Sequence, residues 1–290
     1  MSNMQVTFIG GGNMASAIIG GWLATGASPQ SIHVVDPNDR VRDRLSRDWG
    51  ITPHHTLDER ALAVDVVVLA VKPQIMPEVL ATLATRMPAA HAAHGPVVVS
   101  VAGGITLDAM ANALGERAMI RCMPNTPALL GAGITALVAN AHTTAEHRRL
   151  ACHLLEQVGT CVWLDDEPLL DLVTAVSGSG PAYFFALAEH MVAAAVARGM
   201  DDKLARALVH QTAAGAGRML TQAGADAATL REKVTSPGGT TEAALNAFAA
   251  SQLDATVDQA IDAAWRRAQA LGGAAGQTAQ PSPDHQQQET

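Results

Sequence analysis

Near its start the chain reads Gln5-Val-Thr-Phe-Ile-Gly-Gly-Gly-Asn-Met-Ala-Ser-Ala-Ile-Ile-Gly20. The apolar run at residues 5–9 predicts a strand, and apolar residues at helical spacing over 13–25 predict a helix after it. Between them, Gly10, Gly12 and Ala15 match the pattern G-x-G-x-x-G/A. In that pattern the first glycine permits a tight turn, and the second lets the backbone approach a pyrophosphate. Such a turn alone is weak evidence, but the flanking strand and helix indicate that it binds the diphosphate of a dinucleotide.

The first half of the chain contains further strand-like runs, at residues 31–36, 65–71, 96–101, 118–123, 133–138 and 159–164. The valine-rich run at 65–71 is typical of a central parallel strand that is covered on both faces. A helix is predicted at 105–114, with Thr106 as its cap, and another at 144–157. We therefore predict an α/β fold that begins with a Rossmann-like dinucleotide-binding domain over residues 1–164.

Asp36 lies at the end of the second predicted strand, where the adenosine ribose of a dinucleotide is bound. A carboxylate there accepts hydrogen bonds from the ribose hydroxyls of NAD, whereas a nearby arginine can receive the 2′-phosphate of NADP. This chain has both, since Arg40 follows four residues later. The sequence thus leaves NADPH and NADH open as the cofactor. In the alternative interpretation, Asp36 only starts a turn and caps the next helix.

Other candidate cofactor contacts follow the later strands, because ligands bind at the carboxyl ends of parallel strands. Lys72 could face a phosphate or the ribose, although lysines after strands are usually only solvated. The segment 123–127 would be a rigid loop beside a nicotinamide ring, or an ordinary turn. The candidates are Ala70, Val71, Lys72, Pro73, Ala102, Met123, Pro124, Asn125 and Thr126.

From Leu169 onward no strand-like run appears, and alanine-rich helical patterns follow one another. We predict an all-helical domain over residues 165–271. The stretch Ser177-Gly-Ser-Gly-Pro-Ala182 predicts the start of one helix, with a serine cap and Pro181 at the first position, and this helix runs to about Arg198. It is apolar on nearly every side, so we expect it to pack against a second subunit. Further helices are predicted at 203–223 and 254–271.

A second glycine-rich stretch precedes a helix in this domain. Its hydroxyls and N–H groups are suited to bind an anion, most simply a carboxylate. Alternatively, Thr240 or Thr241 only caps its own helix. The candidate substrate residues are Ser236, Gly238, Gly239, Thr240 and Thr241.

Composition excludes several classes of protein. The net charge is −8 without a basic cluster, which argues against nucleic acid as a partner. The three cysteines, Cys122, Cys152 and Cys161, lack metal-site spacing, so we predict reduced thiols and no metal site. We expect a cytoplasmic protein, since neither a signal peptide nor a membrane-spanning run is apparent. Residues 272–290 are expected to form a disordered tail.

Five motifs together resemble those of the pyrroline-5-carboxylate reductases. They are Ile9-Gly-Gly-Gly-Asn-Met14, Ala70-Val-Lys-Pro73, Arg121-Cys-Met-Pro-Asn-Thr-Pro127, Ser177-Gly-Ser-Gly-Pro-Ala182 and Ser236-Pro-Gly-Gly-Thr-Thr241. Two positions depart from the family pattern. Asp226-Ala227 stands where members usually have His-Pro, and Asp36 stands where members that prefer NADP tend to have small or polar residues.

The resemblance implies reduction of 1-pyrroline-5-carboxylate to L-proline by NADPH or NADH, in a homodimer that is often assembled into decamers. It implies that residues 70, 72 and 73 lie on the adenosine side and 123–126 on the nicotinamide side. Residues 236–241 would hold the substrate carboxylate, with the Thr241 hydroxyl near the imine nitrogen as the catalytic group. The diphosphate would be bound by Gly10, Gly11, Gly12, Asn13 and Met14.

Two rival functions can be compared with this expectation. A β-hydroxyacid dehydrogenase has a similar layout but generally needs a lysine base on the first long helix of its second domain, and residues 169–198 contain no lysine. His190 on that helix is better explained as a packed or interface side chain. A dinucleotide-sensing regulator without turnover would need the first domain but not the loop at 236–241.

Overall fold

A computed structural model describes residues 4–58, 60–87, 95–222, 224 and 226–277. By its internal contacts the chain divides into two compact units. The first holds the described residues up to Gly178 and those from Ala264 onward, and the second holds Ser179–Ala263. The predicted boundary after Leu164 remains a prediction. The fold expected from the sequence, a Rossmann-like domain followed by a helical domain, is confirmed.

One seven-stranded sheet organises the first unit, in the order β2-β1-β3-β4-β5-β6-β7. All neighbouring strands are parallel except β5 and β6, which are antiparallel. The chain runs outward from β1 in both directions, so the crevice for a ligand lies between the ends of β1 and β3. The strands are Val6–Ile9 (β1), Ile32–Val35 (β2), Val66–Leu69 (β3), Val97–Ser100 (β4), Met119–Met123 (β5), Gly133–Ala139 (β6) and Gly159–Trp163 (β7).

Helices cover both faces of this sheet, as the valine-rich strands predicted. Side chains of β3 are fully buried and alternate between two cores: Val66 and Val68 belong to one, and Val67 and Leu69 belong to the other. The helices of the first unit are Asn13–Ala24 (α1), Asp39–Trp49 (α2), Met76–Arg86 (α3), Leu107–Leu114 (α4), Ala145–Leu155 (α5) and Leu169–Val173 (α6).

The remaining helices are Gly180–Val196 (α7), Asp202–Leu220 (α8), Ala227–Lys233 (α9), Thr240–Ala250 (α10) and Leu253–Gln277 (α11). The helix α11 continues past the predicted end at residue 271, and its backbone at Leu271 comes close to Gly104. The part of the expected tail at 278–290 lies outside the described residues. No helix among the described residues is long and apolar enough to cross a membrane.

Capping explains several helix starts, and one cap differs from the prediction. The Thr106 side chain accepts the N–H of Ala109 at the start of α4, as predicted. Ser177 does not cap α7: it lies in a π-helical turn, and its hydroxyl donates to the Val173 carbonyl instead. The residue at the N-cap is Ser179, whose side chain makes no cap hydrogen bond, and α7 begins at Gly180, one residue before the predicted first position at Pro181.

A histidine completes the N-terminal cap of α5. The Thr144 hydroxyl accepts the N–H of His147, and Nδ1 of His147 accepts the N–H of Thr144, each at 3.2 Å. Burial lowers the pKa of His147 from its ordinary value of 6.5, against the opposing effects of a hydrogen bond to the Gly95 backbone and of the Glu146 charge. The neutral imidazole is therefore the form that the folded state favours.

Acid should weaken this cap. Because the folded-state pKa is lowered, the contribution of His147 is fully present above pH 6.5 and is lost as the pH falls through the folded-state pKa. The variant His147→Gln keeps a hydrogen-bond acceptor in the capping box. When the pH falls from 7 to 5, we expect its free energy of unfolding to decrease by about 1 kcal/mol less than that of the wild type. Urea unfolding at both pH values measures this. An equal loss in both proteins would contradict it.

Candidate dinucleotide and substrate sites

The glycine turn after β1 has the geometry that a diphosphate requires. Gly10 has a φ of +96°, and a Cβ on it would lie 2.8 Å from the Ala70 carbonyl oxygen, so the turn passes directly beside β3. Gly12 is the N-cap of α1, and a Cβ on it would meet no atom within 4 Å. The backbone at Gly12 is therefore open to a ligand at the N-terminus of a helix, where N–H groups attract anions. Asn13 and Met14 form the first turn of α1.

A cleft of about 580 Å³ adjoins this turn and includes Gly10, Gly12 and Asp36 in its lining. Leu57, Val79 and Leu83 provide an apolar wall suited to a purine ring. The structure also places Ala70, Val71 and Lys72 in this lining, so three of the candidates from the end of β3 lie together with the turn. These residues fit the adenosine half of a dinucleotide.

Asp36 is fixed by backbone donors at the rim of the cleft. Its Oδ2 accepts the N–H of Gly11 at 2.8 Å, and its Oδ1 accepts the N–H of Asn38 at 2.9 Å. The cap of α2 is Asn38, whose side chain accepts the N–H of Arg40. Asp36 thus starts a turn, as one interpretation expected, and also faces the cleft. The side chain of Arg40 is exposed and is not part of the cleft lining.

The segment after β5 is held to its neighbours by one amide side chain. Asn125 Oδ1 accepts the N–H of Ile134 at 3.0 Å, and Nδ2 donates to the Ser177 carbonyl at 3.2 Å. The Met123 side chain packs so closely against Gly178 that a Cβ on this glycine would collide with it. The Asn125 side chain therefore holds the loop in place through these two hydrogen bonds. A contact with a nicotinamide would have to be a further interaction of the same side chain.

The other sequence candidates differ in exposure. Ala102 and Pro124 are buried, so only their backbone or neighbours could meet a cofactor, whereas Thr126 is exposed. Pro73 is half-buried and begins a short 3-10 helix after Lys72. All follow the carboxyl ends of parallel strands, so they lie at the same edge of the sheet as the glycine turn.

The sequence did not predict the buried ion-pair network around Arg121. Arg121 on β5 is only 5 % exposed, and its guanidinium donates to Glu167 at 2.8 Å and to Asp171 at 3.4 Å. The Glu167 carboxylate also accepts the N–H of Leu107 at the start of α4. The sequence feature that indicates this network is an arginine within an otherwise apolar strand run, because a charged side chain in a buried strand requires a charged partner.

In the second unit, the loop before α10 uses some of its donors internally. The N–H of Gly239 donates to the Ser236 carbonyl at 3.0 Å, and the N–H of Gly238 donates to the Glu242 carboxylate at 2.8 Å. The N-cap of α10 is Gly239, without a side-chain cap, so Thr240 and Thr241 do not serve as the predicted caps. Their N–H groups, in the first helical turn, and their hydroxyls are the donors suited to an anion.

Glu242 was missed in the sequence because its role depends on the loop folding back onto the helix. Its carboxylate closes the turn over Gly238, which has a φ of +69°. Asp226, at the position where the sequence departs from the family pattern, caps α9 by accepting both the N–H and the hydroxyl of Thr229 at 2.8 Å. These hydrogen bonds lower the pKa of Asp226.

The apolar helix α7 is incompletely covered by the described residues. Phe184 and Phe185 are 67 % and 68 % exposed, and among the described residues α8 packs on the side of α7 around Val192. An exposed apolar surface of this kind marks an interaction site.

The cysteines lie closer together than their spacing suggested. Ligand atoms of Cys152, Glu156 and Cys161 lie within 4.8 Å of one another. Burial is the largest cause that raises the pKa of Cys161, to about 12, and of Cys152, so both are thiols at neutral pH. No disulfide joins the three cysteines, all of which are described.

Comparisons with known proteins match family models to segments from both parts of the chain. Residues 167–271 match the family model described as pyrroline-5-carboxylate reductase dimerisation. Residues 5–104 match the family model described as NADP oxidoreductase coenzyme F420-dependent.

Full-length relatives show the same similarity. The chain is 42 % identical over 278 residues to a pyrroline-5-carboxylate reductase of Pseudomonas aeruginosa, covering 96 % of this chain and 100 % of the relative. A solved pyrroline-5-carboxylate reductase from Coxiella burnetii superposes with a TM-score of 0.86 at 36 % identity, covering 93 % of this chain and 98 % of that one. The Plasmodium falciparum pyrroline carboxylate reductase, solved with NADP bound, gives a TM-score of 0.80 at 26 % identity, covering 94 % and 99 %.

Proposed function

This chain belongs to the pyrroline-5-carboxylate reductase family, and we infer that it reduces 1-pyrroline-5-carboxylate to L-proline with NADPH or NADH. The observation that carries the inference is the similarity to the Pseudomonas aeruginosa enzyme over nearly the whole of both chains. The glycine turn, the cleft beside it and the hydroxyl-rich loop before α10 supply the kinds of group that this reaction needs.

The reaction requires little acid–base chemistry from the protein. When bound, the reduced nicotinamide supplies a hydride to the carbon of the substrate C=N bond, and the electron pair of that bond moves to nitrogen. A cyclic imine is basic enough to be partly protonated in water, so the chain must mainly hold the substrate in position and exclude water.

We assign these positioning roles to the loop at residues 236–241. Donors that make no bond within the loop include the Ser236 hydroxyl and the hydroxyls and first-turn N–H groups of Thr240 and Thr241, whereas the N–H groups of Gly238 and Gly239 make bonds within the loop. Helix N-termini favour anions, so these donors would bind the substrate carboxylate. The half-buried Thr241 hydroxyl would serve as the hydrogen-bond partner of the ring nitrogen.

Turnover tests the assignment directly. Purified protein is mixed with pyrroline-5-carboxylate and NADPH or NADH, and loss of the near-ultraviolet absorbance of the reduced nicotinamide is followed together with proline formation. We expect both signals with at least one cofactor. Folded protein that binds a dinucleotide but forms no proline would instead support the sensing regulator.

Thr241→Ala is expected to lower kcat by about ten- to a hundredfold, as for the loss of one orienting group. Thr241→Ser keeps the hydroxyl and should retain most of the activity. Because Thr241 does not cap α10, thermal unfolding should change little in either variant. Steady-state kinetics that are unchanged in Thr241→Ala would exclude this role.

The second unit matches a dimerisation family model, and we propose a homodimer formed through it. Support comes from α7, whose Phe184 and Phe185 are left exposed by the part of the chain that the structure describes. Assembly of dimers into a decamer is proposed from the family resemblance, and a cytoplasmic location is proposed from the three cysteines, which we interpret as reduced thiols. The β-hydroxyacid dehydrogenase alternative remains disfavoured, because residues 169–198 contain no lysine.

A further inference from the structure

We propose that Asp36 makes this enzyme prefer NADH to NADPH. The inference rests on the proposed function, and it concerns a choice that the sequence alone left open between Asp36 and Arg40. What decides it is the position of the Asp36 carboxylate relative to the backbone donors at the end of β2.

The carboxylate occupies the donors that an anion would otherwise use. The N–H groups of Gly11 and Asn38 both point at Asp36, at 2.8 and 2.9 Å. The strand end is held in turn by the N–H of Asp36, which donates to the His54 carbonyl at 3.0 Å. The protein thus places its own anion at the rim of the cleft where the adenosine ribose is expected.

The two cofactors differ at this position in a way that a carboxylate discriminates. The ribose of NADH has neutral hydroxyls that donate hydrogen bonds, and each Asp36 oxygen retains acceptor capacity beyond its one backbone bond. A phosphate monoester carries about −1.5 to −2 charges at pH 7 and accepts hydrogen bonds without readily donating them. A 2′-phosphate would therefore meet like charge and would find the backbone donors already used.

The arginines and the lysine near Asp36 do not offset the repulsion between its carboxylate and a 2′-phosphate. Arg42 is paired with Asp39 and also donates to the Asp36 carbonyl, and Arg44 donates to the Gly11 carbonyl and to Ser16. Arg40 is exposed outside the cleft lining. In the lining, Arg86 donates to the Leu57 carbonyl at 2.7 Å. Lys72, the other lysine or arginine of the lining, follows β3 rather than β2.

Binding of two fragments isolates the effect of the 2′-phosphate. Calorimetric titration of the full-length protein with ADP-ribose and with 2′-phospho-ADP-ribose should give a Kd about tenfold or more lower for ADP-ribose, since like charges oppose the second ligand. The ratio of kcat/KM for NADH and NADPH should favour NADH similarly. Equal or tighter binding of 2′-phospho-ADP-ribose would overturn the inference while leaving the proposed activity intact.

Variants separate this local effect from net charge. Asp36→Ser and Asp36→Asn should each move the ratio toward the 2′-phosphorylated ligand by about tenfold. Asp43→Ser is the matched control, because it removes the same charge from an exposed residue outside the cleft lining and should move the ratio less than about threefold. An unchanged ratio in both Asp36 variants would overturn the proposal. If neither fragment bound folded wild-type protein, the cofactor site itself would be wrong.

Discussion

Gly12→Ala is expected to weaken NADH or NADPH binding by about a hundredfold or more, without loss of the fold. The backbone at Gly12 has φ −66° and ψ −170°, which alanine adopts freely, and its Cβ would meet no atom of the described protein within 4 Å. The added methyl group would instead occupy the space through which a diphosphate approaches the first turn of α1. Loss of one or two hydrogen bonds to a charged group, at about 1.5–3 kcal/mol each, is enough to weaken binding by about a hundredfold.

The measurement is a cofactor titration combined with denaturant unfolding. The free energy of unfolding should change by no more than about 1 kcal/mol, the cost of replacing glycine by alanine at an N-cap. The matched comparison is Gly10→Ala, whose Cβ would collide with the Ala70 carbonyl at a φ of +96°. That variant should lose about 2 kcal/mol or more of stability. Wild-type affinity in Gly12→Ala would show that no diphosphate lies against this turn.

Arg121→Met is expected to lower the free energy of unfolding by about 3 kcal/mol. Removing the guanidinium leaves Glu167 and Asp171 facing each other without their common partner. Breaking a buried ion pair by removing one member costs about 3–5 kcal/mol, and we take the lower end because the two carboxylates are 21 % and 19 % exposed. Methionine keeps most of the buried volume, so the loss is electrostatic rather than a cavity.

Two further variants test that explanation. The triple variant that adds Glu167→Gln and Asp171→Asn should recover part of the loss, because no unpaired charge remains. Arg149→Ala, which removes the exposed pair with Glu146, should change stability by less than about 1 kcal/mol. A loss in Arg121→Met no larger than in Arg149→Ala would contradict a structural role for the network.

Periodic patterns predicted the first unit well. Each expected strand is present, with its ends shifted by at most two residues. For β3, whose four residues are all buried, the reason is that a buried parallel strand imposes an unbroken apolar run. The turn at Gly10 was predictable for a similar reason, since a positive φ beside a neighbouring strand excludes other residues. The start of α7 was predicted to within one residue, whereas the π-helical turn at Thr174–Gly178 before it was not predicted.

Interactions between distant residues were not predictable in the same way. The pairing of Arg121 with Glu167 and Asp171 joins a strand to residues 46 and 50 positions later, and no periodicity records such a contact. The use of Gly238 N–H by Glu242 depends on how the loop folds back, although the residues are only four apart. The antiparallel β6 likewise follows from the connection between strands rather than from its own sequence.

The sequence by itself determined the class of fold, the family and the two glycine-rich turns, because these depend on local conformational limits and on periodic burial. Only the tertiary structure decided how donors and charges are shared. It showed that the Asp36 carboxylate takes the N–H groups of Gly11 and Asn38, and that Arg40 lies outside the cleft. Hydrogen bonds are set by distances between atoms of a few ångströms, and the order of residues along a chain does not fix those distances.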